Sequence, residues 1–242
     1  MPRAPKWVGD ALINILGSKY PIVKVNAVQS LHKELKNIVF EGDFEKMPFE
    51  ISHAVAFRVS DRDFRNYTIS GLDREKGQCE ILFHIHGKGP GSDFINRLKV
   101  GDSLKMVPPR GKKFYQPESP SHFFFGDETT LGLFQSMAIE IDKRGQYYSG
   151  ILELQKETID IHESLGLDMI KIRRDNREPG GNTVECLEDL KGMAPDQFDN
   201  GVFYLSGNAN AIQLIRKALL TMGINSKNIK TQAYWAEGRI GL

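Results

Sequence analysis

The hydrophobic periodicity of this 242-residue chain changes near its middle, and that change limits the fold more than any other feature. Between residues 22 and 112, apolar residues fall in short runs bounded by Gly, Asp, Pro or Asn, a pattern typical of β-strands. One helical segment near 93–97 interrupts the runs. This part of the chain predicts a small antiparallel β-barrel, with strands at 22–28, 34–41, 52–59, 64–70, 79–86 and 103–107.

In the second half, apolar strands alternate with helical segments. Such alternation indicates an α/β domain whose parallel sheet carries helices on both faces. The polar segment 114–121 holds two prolines and is the predicted linker, so we predict domains at 1–117, with a short amphipathic helix at 8–17, and at 118–242. The strands are expected at 121–125, 148–154, 169–173 and 201–205, and the helices near 130–143, 158–165 and 208–222.

Composition excludes several classes of function. The chain has 32 basic and 31 acidic residues, and this balance argues against nucleic acid as a partner. Its two cysteines, Cys79 and Cys186, lack metal-ligand spacing, and no third ligand accompanies His84 and His86, so we predict no metal site. No apolar stretch reaches 18 residues and no signal peptide is evident, so we expect a cytoplasmic protein without a membrane segment.

The segment Arg65-Asn66-Tyr67-Thr68 carries the first candidate site. Residues i and i+2 of a strand share a face, so Arg65 and Tyr67 should point one way and Thr68 the other. A guanidinium beside a flat ring suits a ligand that has both a phosphate and an aromatic system. The alternative is an exposed strand end with solvated polar side chains.

A glycine-rich turn, His86-Gly87-Lys88-Gly89-Pro90-Gly91-Ser92, precedes the helical segment of the barrel half. Ser92 is a good helix N-cap, and glycines let the backbone approach a ligand closely. A helix N-terminus also attracts anions. The turn therefore predicts an anion site, with an ordinary capped turn as the alternative.

Two turns in the second half follow apolar strands and precede helices, although the dinucleotide fingerprint Gly-x-Gly-x-x-Gly is absent. One is Gly126-Asp127-Glu128-Thr129 and the other is Leu205-Ser206-Gly207-Asn208. Ligands of parallel sheets bind at the carboxyl ends of the strands, so the two turns should form the walls of one crevice.

Taken in chain order, these motifs, Pro108-Pro109-Arg110-Gly111 and the late Tyr234-Trp235 with Gly238 resemble the siderophore-interacting protein family. That family comprises flavin reductases related to ferredoxin–NADP reductase, and the resemblance implies the same two-domain fold. It implies that Arg65 binds a phosphate of FAD, that Tyr67 stacks on the isoalloxazine and that Thr68 lies near its N5 edge. The other FAD residues that it implies are His86, Gly91, Ser92 and Trp235. For the pair Tyr234-Trp235 the alternative is a strand that packs on the core.

The resemblance also implies a site for NADH or NADPH. Its residues are Gly126, Asp127, Glu128, Thr129, Ser206 and Gly207. An acid near Glu153 favours ribose hydroxyls over a 2′-phosphate. Arg173 and Arg174 either contact that phosphate or are solvated. The balance slightly favours NADH.

The implied activity is hydride transfer from NAD(P)H to FAD in the cleft between the domains, followed by single-electron transfer to a ferric siderophore or similar chelate. No catalytic side chain is expected, because the flavin carries the chemistry. Cations that could attract the substrate are Lys88, Arg110, Lys112 and Arg239, with ordinary solvated surface charges as the alternative. The chain departs from the family at three positions. A second Arg is usual at Ser70, a Trp is usual at Phe94, and a basic residue usually follows Trp235. The alternatives are an electron-transfer flavoprotein reduced by a partner such as ferredoxin, and a flavin-free binding module.

Overall fold

A computed structural model describes residues 20–87, 89–158 and 165–238. The chain divides into two compact units between Lys113 and Phe114. The predicted helix at 8–17 and most of the one at 158–165 lie outside the described residues. Among the described helices, none is both long and apolar enough to cross a membrane.

The first unit is a nearly closed antiparallel barrel. Its described strands follow the order β6-β1-β2-β5-β4-β3-β7. The two strands at the ends of this order, β6 and β7, are separated in the chain only by Met106, so the sheet curls back on itself. The bounds are β1 Ile22–His32, β2 Leu35–Glu41, β3 Ala54–Arg58, β4 Phe64–Asp73, β5 Gln78–His84, β6 Ser103–Lys105 and β7 Val107–Arg110, with helix α1 at Pro90–Arg97.

Alternation of buried and exposed side chains explains why these segments form strands. In β1, Val23 and Val25 are fully buried while Ile22, Lys24 and Asn26 are exposed. The buried face of each strand contributes to one apolar core, which shields it from water. The predicted barrel is confirmed.

The second unit is built on a parallel sheet with the described strand order β10-β9-β8-β11-β12. Its strands are β8 Ser121–Gly126, β9 Tyr147–Leu154, β10 Ile170–Arg173, β11 Val202–Asn208 and β12 Ile229–Trp235. Its helices are α2 Leu131–Lys143, α3 Gly181–Glu185, α4 Leu187–Met193, α5 Pro195–Asn200 and α6 Ala209–Thr221. Single 3₁₀ turns cover Glu128–Thr130, Lys156–Thr158 and Ser226–Asn228.

Three successive phenylalanines in β8 show that both faces of this sheet are covered. Phe124 stacks on Phe134 of α2 at 4.9 Å between ring centroids. Phe123 meets Phe198 of α5 at 5.1 Å. Because neighbouring side chains of a strand point to opposite faces, these contacts place helices on both sides. The predicted α/β fold is confirmed.

The prediction that segment 114–121 is a linker is partly wrong. Phe114 and Tyr115 are only 6% exposed. The ring of Phe114 packs on Tyr204 at 5.3 Å, and that of Tyr115 lies 5.5 Å from His122. These aromatic residues pack on the second unit because this removes their large apolar rings from water. The predicted elements did not include β12 or the short helices α3, α4 and α5.

Candidate cofactor sites

The barrel site forms where the start of α1 lies against β4. A Cβ atom at Gly91 would stand 3.1 Å from the Tyr67 hydroxyl and 3.6 Å from Cγ of Arg65. All three residues therefore meet, and Arg65 and Tyr67 lie on the same side of β4, as their spacing predicts. Thr68 pairs with Ala54 and belongs to the alternate set of the strand.

Local contacts position the guanidinium of Arg65. Its Nη1 donates to the carbonyl of Phe64 at 2.9 Å and lies 3.6 Å from Oδ1 of Asp63. The side chain remains 26% exposed. Arginine has five N–H donors in a planar fork, and both contacts use the same nitrogen. The guanidinium is thus held at one corner and can still bind an external phosphate through the others.

The ring of Tyr67 is fixed by packing against the barrel core. It meets Phe83 edge-on at 4.7 Å and Phe57 at 6.2 Å. Burial raises the pKa of the Tyr67 phenol well above its ordinary value, and the opposing effect of Arg65 is smaller. The hydroxyl therefore stays protonated and can donate a hydrogen bond beside the start of α1.

The N-terminus of α1 has the properties of an anion site. Its N-cap is Gly89, without a side-chain cap, and Pro90 is its first residue. The prediction that Ser92 caps the helix is wrong, because Ser92 is the third helical residue. Its hydroxyl is buried and lacks a hydrogen-bond partner among the described residues. The uncapped N–H groups of α1 and the unsatisfied hydroxyl of Ser92, on a helix start whose Gly91 lies close to Arg65, fit the diphosphate of a flavin dinucleotide.

The remaining predicted residues of the barrel half are more scattered. His86 is exposed, and its Cε1 lies 4.0 Å from a Cβ position at Gly89. Arg110 and Lys112 are exposed at and just beyond the end of β7. Ser70 is buried at an irregularity in the pairing of β4 with β5. Lys88 and Arg239 lie outside the described residues.

In the second unit, Asp127 joins three strand ends. Its carboxylate accepts hydrogen bonds from the backbone N–H and the hydroxyl of Thr129. Asp127 thereby caps the 3₁₀ turn after β8. It also accepts from the backbone N–H of Asn208 at 3.0 Å and from the indole N–H of Trp235 at 2.9 Å. We call Asp127, Thr129, Asn208 and Trp235 the Asp127 cluster. It ties the carboxyl ends of β8, β11 and β12 together.

Glu128 turns away from the Asp127 cluster and forms a buried ion pair with Arg174. Its other carboxylate oxygen accepts from Gln155 N and from the hydroxyl of Thr158, both at 2.7 Å. Burial would raise the pKa of Glu128, but Arg174 and these hydrogen bonds together hold it below its ordinary value. The guanidinium of Arg174 also lies 5.7 Å from the ring centre of Trp235, which links the ion pair to the cluster.

The structure thus brings together the six residues predicted for NAD(P)H, but most of their polar atoms bond within the protein. The hydroxyl of Ser206 donates to the carbonyl of Gln232 at 2.8 Å. Gly207 has φ +99°, and a side chain there would collide with the carboxylate of Asp127. Gly126 leaves space for Thr130 and Phe134. These residues build the edge of the sheet and fix its shape.

Two residues of this edge, Asn208 and Arg174, have roles in the structure that were not predicted from the sequence. Asn208 caps α6 by accepting from Asn210 N and Ala211 N, and an Asn directly before a helix is a recognisable signal. The sequence predicted for Arg174 either a contact with a 2′-phosphate or a solvated side chain. No local pattern shows that Arg174 pairs with Glu128, because 46 residues separate the two in the chain.

Comparison with protein families gives two matches that follow one another along the chain. Residues 58–113 match the siderophore-interacting FAD-binding domain, and residues 119–238 match siderophore-interacting protein. The resemblance seen in the sequence is thereby confirmed. The family and its fold support FAD and a nicotinamide nucleotide, NADH or NADPH, as the cofactors.

Solved structures of several reductases share the fold of this chain, and curated relatives match a short part of it. The siderophore-interacting protein SipS of Aeromonas hydrophila has a TM-score of 0.72 and 21% identity, with 91% of this chain and 93% of that one covered. A ferredoxin–NADP⁺ reductase of Plasmodium falciparum has a TM-score of 0.72 and 13% identity, with 89% and 97% covered. NADH-cytochrome b5 reductase 1 of Dictyostelium discoideum is 35% identical over 54 residues, 22% of this chain. The match spans about a fifth of that relative's length, 19%.

Proposed function

This chain belongs to the siderophore-interacting protein family, and we propose that it is a flavin-dependent oxidoreductase that passes electrons from NADH or NADPH to a ferric chelate, with a ferric siderophore as its substrate. The observation that carries the proposal is the meeting of Arg65, Tyr67 and the uncapped start of α1 at Gly91. A cation, a phenol and free helix N–H groups in one place suit the diphosphate and ring system of FAD.

The roles of the protein in this chemistry are binding and orientation. We assign phosphate binding to Arg65, Ser92 and the backbone at Gly91, and assign contact with the flavin ring to Tyr67. Bound FAD would supply the redox chemistry, acceptance of a hydride and release of its two electrons one at a time, so each nucleotide reduces two ferric ions. No side chain has to move a proton for the hydride step.

We assign NAD(P)H to the carboxyl edge of the second sheet, at the turn after β8 and the turn after β11. The Asp127 cluster would keep this edge rigid. Its backbone groups would then already be ordered before a nucleotide binds, so little binding free energy would be lost in ordering them. The acids of the turn are compatible with an anionic nucleotide because Asp127 caps the turn and Glu128 is paired with Arg174.

The hydrogen bonds within this edge of the sheet also favour one alternative function, electron transfer from a protein partner. The polar groups of Asp127, Thr129 and Ser206 are already bonded within the protein. A flavoprotein reduced by a partner such as ferredoxin would not need them for a nucleotide. Anaerobic reduction of the purified protein by NADH or NADPH separates the two functions.

The first experiment measures flavin content in variants. Arg65→Ala should lower the FAD that copurifies, because a charge-assisted bidentate contact contributes about twice as much as a neutral hydrogen bond. Arg62→Ala is the matched control, since Arg62 is exposed on the turn between β3 and β4. Tyr67→Phe keeps the ring and should lose less FAD than Arg65→Ala. Full flavin content in Arg65→Ala would refute the assigned phosphate position.

The second experiment follows electrons through the protein. The flavin spectrum is recorded anaerobically before and after NADH or NADPH, and again after a ferric chelate is added. Bleaching by the nucleotide and recovery with the chelate are the expected results. A flavin that NAD(P)H leaves oxidised, but that reduced ferredoxin bleaches, would establish the alternative.

A further inference from the structure

The charged side chains of α6 and of the turn and strand that follow it are all positive. Residues 201–236 contain no Asp or Glu, although the whole chain has nearly as many acids as bases. Their four cations, which we call the basic face, are Arg216, Lys217, Lys227 and Lys230. Within the described part of the chain, none of the four forms an ion pair with an acid. The basic face therefore keeps a positive potential that no neighbouring acid cancels.

The basic face includes a hollow that another protein surface could enter. Arg216 and Lys217 line this open hollow of about 470 Å³ on α6, together with Gln213, Leu220 and Thr221. Leu220 is 37% exposed, whereas Ile215 and Leu219 of the same helix are buried against the sheet. Small-molecule sites are enclosed. A shallow hollow on the outer side of one helix suits side chains of another protein instead.

A second charged surface lies on the neighbouring helices α3 and α4. Its members are three exposed acids, Glu185, Glu188 and Asp189, which we call the acidic face. Residues 178–190 contain no Lys or Arg, and in the described residues none of the three acids forms an ion pair. The thiol of Cys186 lies among them. Burial raises its pKa, and the charges of Asp189 and Glu185 raise it further, as a negative potential requires.

The two faces are neighbours on one layer of helices. Leu187 and Leu190 of α4 share an apolar core with Ile212 of α6, so both helices cover the same side of the sheet. The chain before α3 touches α6 directly, since a Cβ at Gly180 would lie 2.9 Å from Cα of Ala211. Adjacent surfaces of opposite charge are self-complementary. A two-fold axis between two copies would form the contact twice.

We propose that this chain forms a two-fold dimer in which the acidic face of each copy lies against the basic face of the other. A second copy fits better than an unrelated acidic protein. An acidic partner would be attracted by the basic face and repelled by the acidic face beside it, whereas a second copy presents the matching sign to both.

The dimer would leave the nucleotide edge of the sheet open. Helix α6 begins at that edge, directly after β11, and its 13 residues span about 20 Å. Arg216 and Lys217 lie in its second half, toward the opposite edge of the sheet. The proposal therefore stands apart from the proposed function, and each copy can carry out electron transfer by itself.

Sedimentation equilibrium of the purified full-length protein tests the proposal. A reductant is present, so that Cys186 cannot form a disulfide between copies. Exposed ion pairs are individually weak and are screened by salt. The mass should approach that of two chains at an ionic strength of about 0.01 M and fall to that of one chain at about 1 M, because the screening length shrinks from about 30 Å to about 3 Å.

Charge reversal identifies the surfaces. Arg216→Glu with Lys217→Glu makes both faces acidic, and Glu188→Lys with Asp189→Lys makes both basic or neutral. Each double variant alone should be monomeric at low salt. An equal mixture of the two should recover the mass of a dimer, because each variant then presents the charge that the other needs. The matched control is Lys33→Glu with Lys46→Glu, at exposed positions of the barrel unit, which changes the net charge equally and should still dimerise.

Four results would overturn the proposal. The wild type could stay monomeric at every salt concentration, the dimer could survive either reversal, or the mixed variants could remain monomeric. A monomeric wild type that binds polyglutamate through Arg216 and Lys217 would assign the basic face to an acidic partner instead. Flavin content and reduction by NADH or NADPH, measured on the same samples, test the proposed function separately and should match the wild type in every variant.

Discussion

At the scale of single residues, Gly91 gives the most direct test of the barrel site. An Ala Cβ there would lie 3.1 Å from the hydroxyl of Tyr67, so either the helix or the ring must shift. Gly91→Ala should therefore lower FAD content while the protein still folds. Gly192→Ala is the control, because a Cβ at Gly192 meets nothing within 4 Å. The measurement is flavin absorbance relative to protein, and equal flavin content in both variants would contradict the site.

Gly207 tests the Asp127 cluster in the same way. Gly207 and Gly101 have similar positive φ angles, +99° and +96°, but only at Gly207 would a Cβ collide with a neighbour, the carboxylate of Asp127. Both Ala variants should lose about 1–3 kcal/mol of unfolding free energy from backbone strain. Gly207→Ala should lose more, because the carboxylate must also move. Equal losses in urea unfolding would show that the contact contributes nothing.

These residues also mark the limit of sequence reasoning. The pairing of Arg65 with Tyr67 was predictable, because strand spacing alone puts them on one face. The environment of Trp235 was not. Its partner Asp127 lies 108 residues away in the chain, and only the packing of parallel strands brings the two together. The same holds for Gly207, where the absence of a side chain leaves space for the same carboxylate.

At the scale of elements, the change in periodicity predicted the class of both sheets, although β12 at the edge of the second sheet was not among the predicted strands. The short helices α3, α4 and α5 were missed, since each spans seven residues or fewer and shows no sustained helical period. The segment after Lys113 was predicted as a linker because it contains two prolines, but its aromatic residues Phe114 and Tyr115 are buried. Its contacts depend on β8 and β11, which the segment itself does not reveal.

A buried polar group holds that segment on the sheet and predicts a pH dependence. The hydroxyl of Tyr204 accepts from Gln116 N at 3.0 Å and lies 3.2 Å from Nδ1 of His122. Nε2 of His122 lies 3.3 Å from Oε1 of Gln146. Burial raises the pKa of Tyr204, so its hydroxyl donates to Nδ1, and a neutral His122 donates from Nε2.

Burial lowers the pKa of His122 more than its contacts with Gln146 and Ser119 raise it. The unfolded chain, with a histidine pKa of about 6.5, then binds a proton that the folded chain does not. Between the folded and unfolded pKa values, the free energy of unfolding must fall as pH falls, by at most about 1.4 kcal/mol per pH unit from this residue. His122→Gln should flatten the dependence in urea unfolding below about pH 6.5. Equal slopes in the variant and the wild type would contradict it.

At the scale of the whole molecule, near-neutral net charge excludes a large steering field, so attraction of an anionic substrate has to be local. Arg110 and Lys112 are exposed at and just beyond the end of β7, in the barrel unit to which we assign the FAD site. If the substrate is an anionic ferric chelate, its reduction rate should fall as salt rises toward about 0.1 M, where charges are screened beyond about 10 Å. Lys112→Gln should lower kcat/KM for the chelate and weaken this salt dependence. Lys33→Gln removes the same charge from the exposed turn between β1 and β2 and should do neither. A chelate reduction rate that responds to neither salt nor Lys112→Gln would count against a siderophore-type substrate. Efficient reduction of the flavin by ferredoxin under the same conditions would then favour electron transfer from a protein partner.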